Sequence, residues 1–302
     1  MGAFLCLLSA AAFGAMAIFG KLAYDAGVDV GALLLVRFAL AAVLLAAIAG
    51  ALRALRGLGR RAVLTGLAMG AIGYATQAGL FFLALERMDA SLLSLLLYTY
   101  PALVTGAAIV LRREEPSARK GAALALASVG TALVLAGAGT GALDPLGTVM
   151  ALGAAAAYTA YILTGDRVVA GVPPLALAAL VTTGATVTFA GAVLVTGGPD
   201  LGFEAAGWGW LAAIALVSTV AAIIAFFAGL ARVGPSTASI LSTVEPVVTV
   251  ALAAAVFGEA LTAVQLAGGA LVLATVVVLN APGGRLRVPV RVVALTRRAV
   301  SR

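Results

Sequence analysis

Apolar residues fall along this chain in runs of about 20, separated by short polar breaks. A helix needs about 20 mostly apolar residues to cross hydrocarbon. The pattern therefore predicts ten transmembrane helices, at about residues 2–24, 28–50, 62–85, 90–111, 119–139, 146–164, 173–196, 208–230, 235–257 and 262–281. The runs are long and rich in Ala and Leu, unlike the shorter alternating strands of an outer-membrane barrel. Gly and Pro punctuate the connections, at Gly57 to Gly59, Gly139 to Pro145, Gly197 to Pro199 and Gly234-Pro235. The first run lacks a basic flank, so it reads as a retained signal-anchor helix rather than a cleaved signal.

Composition removes the aqueous alternative. With 63% apolar and 10% charged residues, polar groups cannot cover the apolar surface, and no room is left for a soluble domain of ordinary size. The bilayer is the expected solvent. The net charge of +7 is not spread evenly. One alternating set of loops carries Arg53, Arg56, Arg60 and Arg61, then Arg112, Arg113, Arg119 and Lys120, then Arg167, then Arg232, and finally a tail with Arg285, Arg287, Arg291, Arg297, Arg298 and Arg302; the other set has only Lys21 and Arg87. Basic residues in short loops stay cytoplasmic, which predicts an even number of spans with both termini inside a bacterial-type inner membrane. The charge is thus topological, and no nucleic-acid partner is expected.

Sliding the sequence on itself by 145 residues aligns Phe81, Phe82, Leu85, Arg87, Ser91, Ser94, Leu96, Pro101, Ala108 and Glu114 with Phe226, Phe227, Leu230, Arg232, Ser236, Ser239, Leu241, Pro246, Ala253 and Glu259. The same gap-free shift pairs Phe13 with Tyr158 and Gly20 with Gly165. Chance apolar similarity has no reason to match Arg, Pro and Glu together, so the pattern reads as a duplication. The expected fold class is an all-α membrane protein of two five-helix repeats, at 1–140 and 141–282, followed by a basic cytoplasmic tail at 283–302. An odd number of spans per repeat inverts the second copy, the arrangement in which secondary transporters exchange conformations around a midplane site.

The segment Leu97-Tyr98-Thr99-Tyr100-Pro101 followed by Arg113-Glu114, its partner Glu245-Pro246-Val247 followed by Gly258-Glu259, and Phe13-Gly14 with Lys21 together resemble the EamA-type branch of the drug/metabolite transporter superfamily. The resemblance covers about residues 3–281. It implies a ten-helix transporter whose central cavity is lined by the first, third, fourth, sixth, eighth and ninth helices. It also implies export of diverse metabolites, amino acids among them, without naming one. The chain departs from the pattern at Arg112-Arg113-Glu114-Glu115, where the family usually has Gly-Glu.

Polar residues at membrane depth are expensive and each needs a reason. Glu245 is the deepest carboxylate: it is either a protonatable coupling site or contact for a cation, or a brace for backbone freed near Pro246. The brace is preferred, because the resemblance carries this Glu across differing substrates. Arg37, inside the second span, either pairs with a carboxylate or helix carbonyls, the preferred reading, or meets an anionic group of the substrate. Lys21 lies near the outer end of the first span, where snorkelling explains it and a gate is the alternative. The cavity candidates are Phe13, Tyr74, Gln77, Tyr98, Tyr100, Tyr158, Tyr161, Phe226, Phe227, Ser239 and Ser242, with Ser94 as a further hydroxyl. Tyrosines give such a cavity apolar walls with hydrogen-bonding tips, though packing explains any single one as well. Pro101 and Pro246 correspond between the repeats and are either hinges or fixed kinks. Gly66, Gly70, Gly73, Gly268 and Gly269 suit close helix packing, and Trp208 and Trp210 suit the outer interface.

Other chemistries have little support. The chain has no His, which removes His-based proteolysis, zinc and haem ligation. The single Cys6 forms no internal disulfide, and no phosphate-binding Gly-Lys-Ser/Thr loop occurs. No metal, no cofactor and no catalytic residue are expected. The sequence reads as a secondary transporter moving a small-molecule substrate by alternating access, with proton coupling open and a monomer sufficient. A channel-like or lipid-handling protein is the alternative.

Overall fold

The computed structural model describes residues 1–113, 115–137, 144–168, 172–233, 238 and 241–280. Among them there is no strand, and eight helices are long and apolar enough to cross a membrane. These are α1 (Gly2–Asp25), α2 (Val30–Ala51), α3 (Arg60–Leu85), α4 (Ala90–Val110), α5 (Ala118–Gly137), α6 (Pro145–Val168), α7 (Pro174–Val195) and α8 (Ala205–Val233). Two shorter apolar helices follow, α9 (Val244–Phe257) and α10 (Ala263–Asn280). Residues 234–237 and 239–240, where the ninth span is expected to begin, lie outside the described residues, as do Glu114 and the tail at 283–302.

Local chemistry sets the helix ends. The Asp29 carboxylate accepts the Ala32 N–H at 2.9 Å and caps α2, while Gly258, at φ 69°, closes α9 in a conformation that glycine tolerates best. Four long helices are interrupted. α1 breaks at Ala15, and α4 breaks at Tyr98 and Thr99 just before Pro101. α3 and α8 each contain a six-residue π-helical segment, Met69–Tyr74 and Leu216–Ala221.

Packing runs in related pairs. α1 lies against α8 and α6 against α3; α1 also meets α9, and α6 meets α4; α2 pairs with α7 and α5 with α10. The core centres on Leu33, Phe38, Phe82, Leu85, Leu93, Leu96, Leu211 and Ile214, all fully buried. Val43, Ile72, Val110, Val187, Leu194 and Val195 are exposed, as lipid-facing side chains are in a membrane protein. Trp208 is exposed, whereas Trp210 turns inward and stacks on Phe19 with ring centres 6.0 Å apart.

Candidate functional site

A cavity of about 310 Å³ lies among α1, α2, α3, α4, α6, α7, α8 and α9, near the lower limit for small-molecule sites. Five tyrosines form a ladder along one wall. Ring centres are 5.7 Å apart from Tyr98 to Tyr100, 4.7 Å from Tyr100 to Tyr158, 6.2 Å from Tyr158 to Tyr161 and 5.8 Å from Tyr161 to Tyr74. Phe38 extends the ladder, edge-on to Tyr74 at 5.4 Å. Phe13, Phe226 and Phe227 line the cavity from α1 and α8, and Gln77 and Ser94 line it from α3 and α4. Ser242 lines it too, and its hydroxyl donates to Ala238 O at 3.0 Å. Ser239 lies outside the described residues.

Around α9 the geometry follows from a missing donor. Pro246 has no N–H to give to the carbonyl four residues back. That carbonyl, Ser242 O, instead accepts the Tyr98 hydroxyl at 2.6 Å, and Tyr98 also lies 3.0 Å from Glu245 Oε2. The brace of the Pro246 break is therefore Tyr98, and Glu245, which also lines the cavity, is held beside it. Pro101 and Pro246 do not line the cavity; they flank it in α4 and α9.

Arg37 is buried and lines the cavity. Its Nε donates to Thr219 Oγ1 at 3.0 Å, Tyr74 lies beside it, and the rings of Phe38 and Phe82 flank it at 4.8 and 5.3 Å. Neither of its sequence-expected protein partners is present: among the described residues no ion pair joins it to a carboxylate, and its hydrogen bond goes to a hydroxyl of the α8 π segment rather than to a helix carbonyl.

Lys21 lies away from the cavity, in a tie at one end of the bundle. Its Nζ is 3.0 Å from Glu259 Oε1 and 3.7 Å from Asp89, so it is paired rather than only snorkelling. Glu259, between α9 and α10, also accepts the N–H groups of Ala90 and Ser91 at 3.1 and 3.0 Å, at the start of α4. Burial raises the Glu259 carboxyl, but the Ser91 N–H and Lys21 outweigh it and hold the group below its ordinary value. Away from this end, the cavity reaches Pro174 and Leu177 at the start of α7.

Sequence reasoning places Glu259 in the repeat and the family motif without assigning it a partner, and misses Thr182, Thr219 and Thr249. Glu259 carried a signal, since it matches Glu114 across the duplication. The threonines carried none: Thr249 donates to Gly14 O at 2.9 Å across 235 residues of chain, which no local pattern announces. Among the described residues, no group of His, Cys, Asp or Glu could hold a metal ion.

Comparison with known proteins agrees with this architecture. The model of the EamA-like transporter family matches the chain twice, over residues 1–136 and 145–281. A solved crystal structure described only as a protein superposes with a TM-score of 0.63 at 19% identity, covering 92% of this chain and 95% of the other. At that identity the likeness speaks to fold alone. Among curated proteins none matches.

Proposed function

Because the chain belongs to the EamA-like transporter family, in the drug/metabolite transporter superfamily, we propose that it is a secondary transporter that exports a small amphipathic metabolite across a bacterial-type inner membrane by alternating access. In this reading ten spans form two inverted repeats, at 1–140 and 141–282, with both termini and the 283–302 tail cytoplasmic. The observation that carries it is the composition of the cavity wall. At the 145-residue offset Phe13 corresponds to Tyr158, Met16 to Tyr161, Phe81 to Phe226, Phe82 to Phe227 and Tyr100 to Glu245, and all ten line one cavity. A wall built of corresponding residues is what a pseudo-two-fold axis through a central solute site requires. The twofold family match and the paired packing of α1 on α8 and α6 on α3 support the same symmetry.

With the orientation drawn from the basic loops, the end tied by Lys21 and Glu259 faces outward, and the cavity runs toward the cytoplasm. Export then requires that this tie open once solute is bound, while the opposite end closes. Purified protein in liposomes tests the reading: flux of a solute found to stabilise the protein saturates, and unlabelled solute preloaded on the far side accelerates it by counterflow. Non-saturable flux without counterflow would assign a channel instead. In the same liposomes Glu245→Gln is expected to remove any component driven by a proton gradient; an unchanged gradient dependence would discard Glu245 as the coupling site.

A further inference from the structure

Arg37 is the part of the cavity that packing does not account for. It is 2% exposed, and the groups beside it are neutral: the Thr219 hydroxyl, Tyr74, Tyr24 and the rings of Phe38 and Phe82. Thr219 is itself satisfied, because its hydroxyl donates to Ile214 O at 3.0 Å while accepting from Arg37. Glu245, the carboxylate that lines the same cavity, is engaged by Tyr98 on the α4–α9 wall, and no carboxylate oxygen among the described residues comes within 4.0 Å of the guanidinium. A guanidinium presents five N–H donors in a planar fork that fits the two oxygens of an oxyanion. The Thr219 hydroxyl engages only one of the five.

The duplication supplies an internal control. At the 145-residue offset Arg37 corresponds to Thr182, which also lines the cavity and donates its hydroxyl to Ala178 O of its own helix at 2.8 Å. The corresponding position in α7 is thus filled without a charge. A permanent cation at membrane depth is costly, and it is retained where another charge meets it.

Resting on the transporter reading, we infer that the solute bears a carboxylate or similar planar oxyanion that pairs with Arg37, while its apolar or aromatic body lies along the tyrosine ladder. The fixed cation then selects anionic solutes over neutral isosteres, and a solute in place supplies the counter-charge that the protein lacks there.

The test uses the purified protein in nanodiscs of neutral lipid, with matched probes: phenylacetate against phenylacetamide, indole-3-acetate against indole-3-acetamide, and octanoate against octanamide. Affinity is read from thermal stabilisation. The acids are expected to bind roughly 10- to 100-fold tighter than their amides, and Arg37→Gln brings the acid-to-amide ratio close to one. Arg37→Lys keeps the charge without the fork; it retains part of the preference and serves if the glutamine variant does not fold. Acids that bind no tighter than amides, acids that do not bind at all, or a preference that survives Arg37→Gln would each overturn the inference. So would displacement of the acids by anionic phospholipid added to the discs, which would assign Arg37 to a headgroup. Amide binding without acid preference defeats this inference and leaves the transporter reading intact, whereas loss of saturable flux and counterflow in liposomes defeats the transporter reading itself.

Discussion

Glu259 joins three elements through one carboxylate, since Lys21 of α1 and the first N–H groups of α4 all converge on it from positions that a sequence does not bring together. Replacing it with Gln keeps the shape and removes the charge. The expected cost is about 1–3 kcal/mol at neutral pH, read as a lower melting temperature in detergent. The folded carboxyl is held below its ordinary 4.5, so its contribution is fully present above that value and fades as pH falls through the lowered folded one. The difference between parent and Glu259→Gln should therefore shrink only in acid; a gap of constant size would mean that the charge contributes nothing. The sequence supplied the residue types of the site better than their partners. The tyrosines and Arg37 stood out because polar atoms at membrane depth are rare. Tyr98 bracing the Pro246 break and Glu259 tying α4 depend on which helices and loops meet, and that is decided by tertiary packing.

At the scale of helices, close approach depends on glycine at two crossings. Where α3 meets α7, a side chain on Gly70 would run into the Val181 carbonyl, and one on Gly184 into the Leu67 carbonyl. Where α5 meets α10, a Cβ on Gly130 would sit 2.7 Å from Gly268 O, and one on Gly268 2.6 Å from Gly130 O. Gly184→Val should lower the melting temperature in detergent by the equivalent of about 1–3 kcal/mol or more, because backbone cannot yield as a side chain does. Gly209→Ala, where a Cβ meets nothing within 4 Å, should be neutral or stabilise by up to about 1 kcal/mol. Equal effects at the two sites would remove close approach as the cause. The helices themselves were readable because lipid offers their backbone no other partner: the expected span 28–50 is observed as Val30–Ala51, and 173–196 as Pro174–Val195. The π segments were not readable, since a widened turn leaves apolar periodicity nearly unchanged over six residues.

For the molecule as a whole, the inverted-repeat proposal makes a topological demand. Tags at residue 1 and residue 302 should both be reached by a membrane-impermeant label only from the cytoplasmic side; tags on opposite sides would break the symmetry on which the central site rests. That symmetry has a further result at Arg37. Tyr74 and Thr219 are related by the 145-residue offset and stand in the two π segments, so matching points of the two halves flank the guanidinium, Thr219 accepting from it and Tyr74 beside it. A π turn holds one surplus residue, and its conversion to α geometry would rotate the adjoining stretch of helix by about 100°. Such a slip in α8 would withdraw the Thr219 hydroxyl to which Arg37 donates, and one in α3 would move Tyr74 from beside the guanidinium.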